Sequence, residues 1–391
     1  MEHLKNAFLA AVVLAFASGA SAQHAHHEGH GMAQAAPAQQ GVFSLDVYRD
    51  SGTIHVLTGE EKDAAGSLWH RSSADGGRSW SAPVRVDGGV APRATRRGDD
   101  AQIAARGRTV LAVWSVPGSG YGGSGPFASA VSRDGGATWT AGGDPSDSGL
   151  ATGHGYADLA ADAGGFHAVW LDGRTKRQAL YYTRSPDGVK WLPNTAIVPT
   201  TCQCCWNSIL PSAASGGRLL VLYRAADPRD MELAALDGGA WRRHGPVAPF
   251  NWHVRGCPET GGALAESAGR LHALVWTGVD KAVGLYVVKA GHAGQGGDLR
   301  WESPRRMGTE AAQHGDLAAD GPRLAATWDE AGAIYYASSD DAGGAWSAPR
   351  LLAAAATRST NPRIVPGGDG FLVLWTRLEG ERRTLEMMRL P

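Results

Sequence analysis

Four cysteines carry the densest chemistry in this chain. Cys202-Gln-Cys204-Cys205 places three thiols within four residues, and Cys257 follows in a Gly-Cys-Pro segment. Three chemistries suit such a set. Thiolates, with imidazoles from His154 and His314 in reach, form a soft site for copper, with zinc as second choice. An even cysteine count in an exported chain also suits two disulfides. A bond between the neighbours Cys204 and Cys205 would be strained, so Cys257 would pair with one member of the cluster. The third chemistry is a redox-active thiol set. The spacing does not match a standard zinc-ribbon pattern. A second metal-like feature lies near the N-terminus, where His24, His26, His27 and His30 precede Met32. Short His-rich tracts bind copper, zinc or nickel.

The elements that must position these residues are repeats. An apolar strand with an aromatic near its end recurs at Val110–Trp114, Phe166–Trp170, Leu219–Tyr223, Leu271–Trp276, Leu324–Trp328 and Phe371–Trp375. The aromatic anchors are 56, 53, 53, 52 and 47 residues apart. Residues 53–57 fit as a first member without the Trp, which makes seven units of about fifty residues. Composition agrees. The chain has 391 residues with 54 Gly, 14 Trp and only 7 Phe, so it is rich in turns and poor in long helices. Its 37 basic and 38 acidic residues give neither the basic excess of a nucleic-acid binder nor a polybasic membrane patch.

Several units end in a specific turn. It reads Ser73-Ala-Asp75-Gly-Gly77-Arg-Ser-Trp80, Ser132-Arg-Asp134-Gly-Gly136-Ala-Thr-Trp139 and Ser339-Asp-Asp341-Ala-Gly343-Gly-Ala-Trp346, with a shorter copy at Ser185-Pro-Asp187-Gly188-Val-Lys-Trp191. Asp accepts backbone N–H bonds inside such a turn, Gly takes a positive φ, and Trp folds back over it. On this pattern the sequence resembles the Asp-box, sialidase-type β-propeller family over residues 41–391. The resemblance implies an all-β fold of four-stranded antiparallel blades around a central channel, with active sites in that channel. Family members have six blades, against the seven units counted here. The seventh shows only three strands, so closure would borrow an N-terminal strand. The Cys-x-Cys-Cys and Gly-Cys-Pro segments resemble an exported subgroup of such proteins, to which no function can be carried over.

Residues just before each innermost strand should gather at one channel rim. Arg97, Asp99, Asp100, His154, Tyr156, Cys202–Asn207, Trp252–Glu259, His314 and Arg358 occupy that place in successive units. A sialidase would need three Arg around a substrate carboxylate, a Tyr–Glu nucleophile and an Asp acid/base. Arg97, Arg224, Arg255, Arg358 and Arg363 could supply guanidinium groups at the channel, Tyr156 the phenol, and Asp99 or Asp100 the acid, by position only. The aromatic-Arg-Ile-Pro segment of the family is absent before the first turn. Each Arg reads first as a surface or inter-blade partner, and His167 and His272 read as core histidines.

Residues 1–22 read as a secretory signal, with Lys5, an apolar run and the small-residue site Ala20-Ser21-Ala22. Residues 23–40 read as a His-rich leader without a fold of its own, and residues 41–391 as one propeller domain. The expected protein is therefore exported, with a bacterial periplasm preferred. It is monomeric and lacks a membrane span when mature. It would hold a metal ion or small molecule in the channel. The leading expectation is copper binding by Cys202, Cys204, Cys205 and Cys257. The alternatives are an exo-sialidase-class glycoside hydrolase and a non-catalytic protein- or glycan-binding propeller.

Overall fold

The computed structural model describes residues 40–62, 65–94, 97–149, 153–175, 177–291 and 299–391, apart from the side chain of Tyr121. The expected signal segment and the leader histidines His24, His26, His27 and His30 lie outside the described residues. Among the described residues no helix is long and apolar enough to cross a membrane.

The chain forms a β-propeller of seven blades. Five sheets have four strands each, and a seven-stranded sheet contains the last three strands followed by the first four. The innermost strands are Gln40–Asp50, Gln102–Arg106, His154–Asp162, Ser208–Ser212, Ala263–Ser267, Ala312–Asp320 and Thr360–Pro366. They are numbered here as blades 1 to 7. The second strands, from Thr53–Lys62 to Phe371–Glu379, are the aromatic-tipped runs of the sequence. These strands are covered on both sides, which is why they read as continuous apolar runs rather than alternating ones. Gly165–Asp172, for example, is buried at every residue.

The core lies between blades rather than in one central mass. Seven apolar clusters each straddle two consecutive blades. The last of them packs Leu45, Ile54 and Val56 of blade 1 against Val365, Leu372 and Leu374 of blade 7, which closes the ring. The seven-unit count therefore holds, and the six blades of the resembled family do not apply. Closure borrows the N-terminal strand, as its three-stranded last unit required. Gln40 and Gly41 pair in parallel with Arg382 and Arg383 of the final strand before the chain turns inward as blade 1. The first described strand starts at Gln40.

The Ser-x-Asp turns are built as expected. Asp75 Oδ1 accepts from the N–H groups of Arg78 and Ser79, and Asp134 Oδ1 from that of Thr138. Asp187 Oδ1 accepts from Val189 and Lys190, and Asp341 Oδ1 from Ala345. Gly136 has φ +96°, and a Cβ there would meet the His70 ring of the preceding blade at 2.0 Å. The turn is therefore also an inter-blade contact.

Gly41 tests the closure. Its φ is +91°, and a Cβ would lie 2.1 Å from the Arg383 carbonyl oxygen. Gly41→Ala is expected to lower stability by about 1–3 kcal/mol, through backbone strain and displacement of the closing strand. Urea denaturation monitored by Trp fluorescence checks this, and an unchanged midpoint would show that the pairing contributes nothing to closure.

Candidate functional site at the channel mouth

All seven innermost strands line one central cavity of about 430 Å³. One position in each strand faces this cavity at an equivalent level: Asp46, Gln102, Asp158, Ser208, Ala263, Asp316 and Arg363. Four of these seven bind the next blade. Asp46 Oδ2 accepts from Ile103 N–H at 2.9 Å, Asp158 Oδ2 from Ile209 at 2.7 Å, Ser208 Oγ from Leu264 at 3.2 Å, and Asp316 Oδ2 from Ile364 at 3.0 Å. In every case the donor follows the equivalent position of the next strand by one residue. The acids therefore act as spokes that satisfy amides the β-ladders leave open.

Three carboxylates at one level create an electrostatic cost. Burial raises the Asp46 pKa to about 6, against the pull of Arg363. Burial and the charge of Asp46 raise Asp158 to about 8. Burial also raises Asp316. Arg363 is the counter-charge. Burial opposes its charged form, but Asp46, Asp316, Asp100 and Asp158 outweigh it and raise its pKa above the ordinary value. The sequence reading missed the three spoke acids. The signal was present in the repeated Asp158-Leu-Ala and Asp316-Leu-Ala segments.

One end of the channel is covered by Trp206. The side chain is 7% exposed. It touches segments from three other blades. A Cβ at Gly98 would lie 3.2 Å from its ring, a Cβ at Gly261 would lie 2.5 Å from its Cδ1, and its ring centroid is 5.8 Å from that of His314. Trp206 directly follows the cysteine cluster, so that cluster holds the cover in place.

The cluster itself is buried. Cys202, Cys204 and Cys205 are each at most 1% exposed and pack against Tyr156. Their three sulfurs all lie within 4.8 Å of one another. Cys204 is disulfide-bonded to Cys257 across a Cα–Cα distance of 5.9 Å, which joins the mouth segments of blades 4 and 5. Cys202 and Cys205 are free, with 2.6 Å between their sulfurs, and Cys202 Sγ lies 3.8 Å from Cys204 Sγ. The Cys202 N–H donates to the Arg224 carbonyl at 3.0 Å. The Cys202 thiol pKa is lowered, first by its contact with Cys205 and further by Arg229 and Arg224. Burial, and then Cys202, raise that of Cys205.

Several expectations need correction. The four cysteines are not four equivalent ligands in this state, because Cys204 and Cys257 are bonded to each other. Neither histidine reaches the sulfurs. His154 is fully buried, with Nε2 3.1 Å from Ser148 Oγ and its ring stacked on Phe127. His314 Nδ1 pairs with Asp329 at 2.9 Å. Of the expected rim cations, Arg97 and Arg358 both lie near Arg383, whose pKa is lowered by burial and then by these two charges. Arg97 Nε binds Asp100 at 2.8 Å, and its Nη2 reaches the Leu45 and Asn361 carbonyls of blades 1 and 7. Arg224 is fully buried and donates to the Thr260, Arg229 and Trp276 carbonyls. These two are inter-blade partners, the reading preferred from sequence. Arg255 and Arg358 are exposed. Asp99 pairs with Arg93 and accepts from the Tyr156 N–H, and Asp100 accepts from Leu45 N–H, so neither is placed as a free acid. Tyr156 lies against the sulfurs rather than beside a Glu. His167 and His272 are core histidines, as expected.

No protein-family model matches the chain, and no curated protein does. Solved structures resemble it at low identity. A protein of unknown function from Dyadobacter fermentans aligns over 90% of this chain and 96% of its own, with a TM-score of 0.50 and 13% identity. Penicillium chrysogenum α-L-arabinanase with arabinobiose aligns over 75% and 94%, with a TM-score of 0.46 and 13% identity. Trypanosoma rangeli sialidase with the inhibitor DANA gives 0.45 and 11%, and this chain spans 90% of itself but only 55% of that enzyme. At such identity the likeness concerns the fold alone.

The spoke acids generate a pH prediction. Asp158 has a folded pKa of about 8, above its ordinary 3.8. Between those values the native state keeps a proton that the unfolded chain has lost. The stabilisation is full below the unfolded pKa and is lost as pH rises through the folded one. Asp158→Asn keeps an oxygen acceptor for Ile209 and removes the titration. The stability of the parent relative to the variant is expected to fall as pH rises from about 4 to about 8. Urea midpoints at constant ionic strength measure it, and a difference independent of pH would show that Asp158 titrates normally.

Proposed function

We propose that this protein is an exported, sialidase-like β-propeller that binds a soft metal ion, copper in its Cu(I) form, at the channel mouth. The observation that carries this reading is the convergence of three buried sulfurs, Cys202, Cys204 and Cys205, within 4.8 Å of one another. Thiolate sulfur is the preferred donor for Cu(I), with zinc as second choice. The Cys202–Cys204 separation of 3.8 Å matches the sulfur–sulfur edge of a site with metal–sulfur bonds of about 2.3 Å. The 2.6 Å between Cys202 and Cys205 is too short for two ligands of one ion, so these sulfurs must part on binding. The third donor, Cys204, becomes available when its bond to Cys257 is reduced. The site would then be thiolate-only, with Tyr156 and Trp206 excluding water. His24, His26, His27 and His30 of the leader would capture copper and deliver it, in a periplasmic setting.

A second reading has its own observation. With Cys204 and Cys257 bonded and no His in the sulfur group, the oxidised mouth is a covalently braced surface. That favours a non-catalytic binding module while the disulfide persists. The exo-sialidase reading stands behind these two, because Arg97 is engaged by Asp100 and by the Leu45 and Asn361 carbonyls, and Tyr156 packs against the sulfurs.

Untagged mature protein, reduced and kept anaerobic, is expected to take one Cu(I) per chain in competition with a chromophoric chelator. Cys202→Ser and Cys205→Ser should each weaken binding by more than about 100-fold, beyond the usual effect of losing an outer partner. Deletion of the leader histidines should slow loading and leave the cluster's affinity unchanged. No Cu(I) or zinc uptake by the reduced protein, or uptake insensitive to both substitutions, would overturn the metal reading.

A further inference from the structure

The four sulfurs differ in access. Cys257 is exposed, whereas Cys202, Cys204 and Cys205 are buried. The sulfurs are also ordered by distance. Cys257 is bonded to Cys204, Cys204 Sγ lies 3.8 Å from Cys202 Sγ, and Cys202 Sγ lies 2.6 Å from Cys205 Sγ. This is a chain of neighbours running from the surface to a buried interior. Positive charge stands beside it, from Arg224 and Arg229. Arg229 has Nε and Nη1 buried without a hydrogen-bond partner, and Arg224 uses its donors on carbonyls. Guanidinium charge placed beside sulfur stabilises negative charge as it moves between sulfur atoms.

We propose that the four cysteines form a disulfide relay, in which the oxidised pair alternates between Cys204–Cys257 at the surface and Cys202–Cys205 in the interior. In the first exchange, Cys202 loses its proton and its sulfur attacks Cys204 Sγ. A Cys202–Cys204 bond forms, the Cys204–Cys257 bond breaks, and its electron pair leaves on Cys257 Sγ, which takes up a proton. In the second, Cys205 loses its proton and attacks Cys202 Sγ. A Cys202–Cys205 bond forms, and Cys204 leaves as a thiolate and is protonated. Each step makes one S–S bond and breaks one, with no net oxidation. The result is an oxidised interior pair and a reduced Cys204/Cys257 pair.

The relay has a consequence for partners. A dithiol protein or glutathione cannot reach Cys202 or Cys205 directly, but it can exchange disulfides at Cys257. The interior thiols would then communicate with external thiols without opening of the propeller. The relay needs no metal. It also determines which thiols are free at a given redox poise, and so when three thiolates would be available together.

The test uses oxidised, full mature chain with a chelator present, so that its outcome is independent of metal binding. The folded protein is exposed to N-ethylmaleimide, acid-quenched, digested with trypsin and mapped without reduction. The digest places Cys202, Cys204 and Cys205 on residues 191–218 and Cys257 on residues 256–270. The relay predicts a product in which 256–270 carries one maleimide, while 191–218 carries an internal disulfide and one further thiol, free or maleimide-labelled. In Cys202→Ser the two peptides should stay linked, and labelling of Cys257 should slow by about tenfold or more. In Cys205→Ser the exchange should stop at Cys202–Cys204, giving labelled 256–270 and a 191–218 peptide with an internal disulfide and no maleimide. Thermal melts confirm that each variant is folded, and if Cys202→Ser is not, the Cys205→Ser product alone decides. Failure to label Cys257 in the folded parent and in Cys205→Ser, or equal labelling with Cys202→Ser, would overturn the relay. Loss of Cu(I) uptake with the labelling pattern intact would overturn only the metal reading.

Discussion

The hydrogen bond from an inner-strand side chain to the backbone of the next blade is the constraint on which this structure depends. Each innermost strand is the edge of its own blade, so over the stretch that faces the channel its outward N–H groups have no ladder partner. In a channel these groups cannot all be left unpaired. Asp46, Asp158, Asp316 and Ser208 supply the acceptors, and each bond ties one blade to its successor. The solution concentrates negative charge on the axis, which Arg363 offsets from the same level of the ring. What looks from its composition like a catalytic set of acids with one cation is thus largely a fastening system. The raised pKa values of Asp46 and Asp158 follow from burial and mutual repulsion, and need no reaction to account for them.

The same economy governs the rim. Arg97 and Arg224 cross blade boundaries to reach carbonyl oxygens, and Asp100 serves Arg97 and the Leu45 amide together. Guanidinium groups so engaged cannot also grip a carboxylate ligand. Trp206 then covers the mouth from blade 4, admitted by the missing side chains of Gly98 and Gly261. An indole and its adjoining cysteines stand at this end of the channel.

The cysteines join architecture to reactivity. The Cys204–Cys257 bond links the mouth segments of two blades, while Cys202 and Cys205 stand free beside it in a buried pocket. A site that closes one disulfide and leaves two thiols in contact is neither a simple staple nor an open metal cage. Its state depends on the redox conditions of its compartment. The proposed metal binding and the proposed disulfide exchange would be alternative uses of the same sulfurs.

The amino-acid sequence alone determined the repeat. The apolar second strands, the Ser-x-Asp turns and the three-stranded last unit are local signals, because they depend on burial of a short strand and on hydrogen bonds spanning a few residues. Seven blades and closure by the N-terminal strand followed from them. The sequence also brought the cysteines to one rim. It could not decide which sulfurs pair, or where His154, Tyr156 and His314 point. The physical reason lies at the start of the inner strands. Register shifts there coincide with non-glycine residues at positive φ, Tyr156 at +53°, His314 at +50° and Asn361 at +47°. Such bulges re-aim side chains, and no residue type announces them. Only the packing of seven blades around one axis made Tyr156 a wall of the sulfur pocket, His314 a partner of Asp329, and Trp206 the cover of the channel.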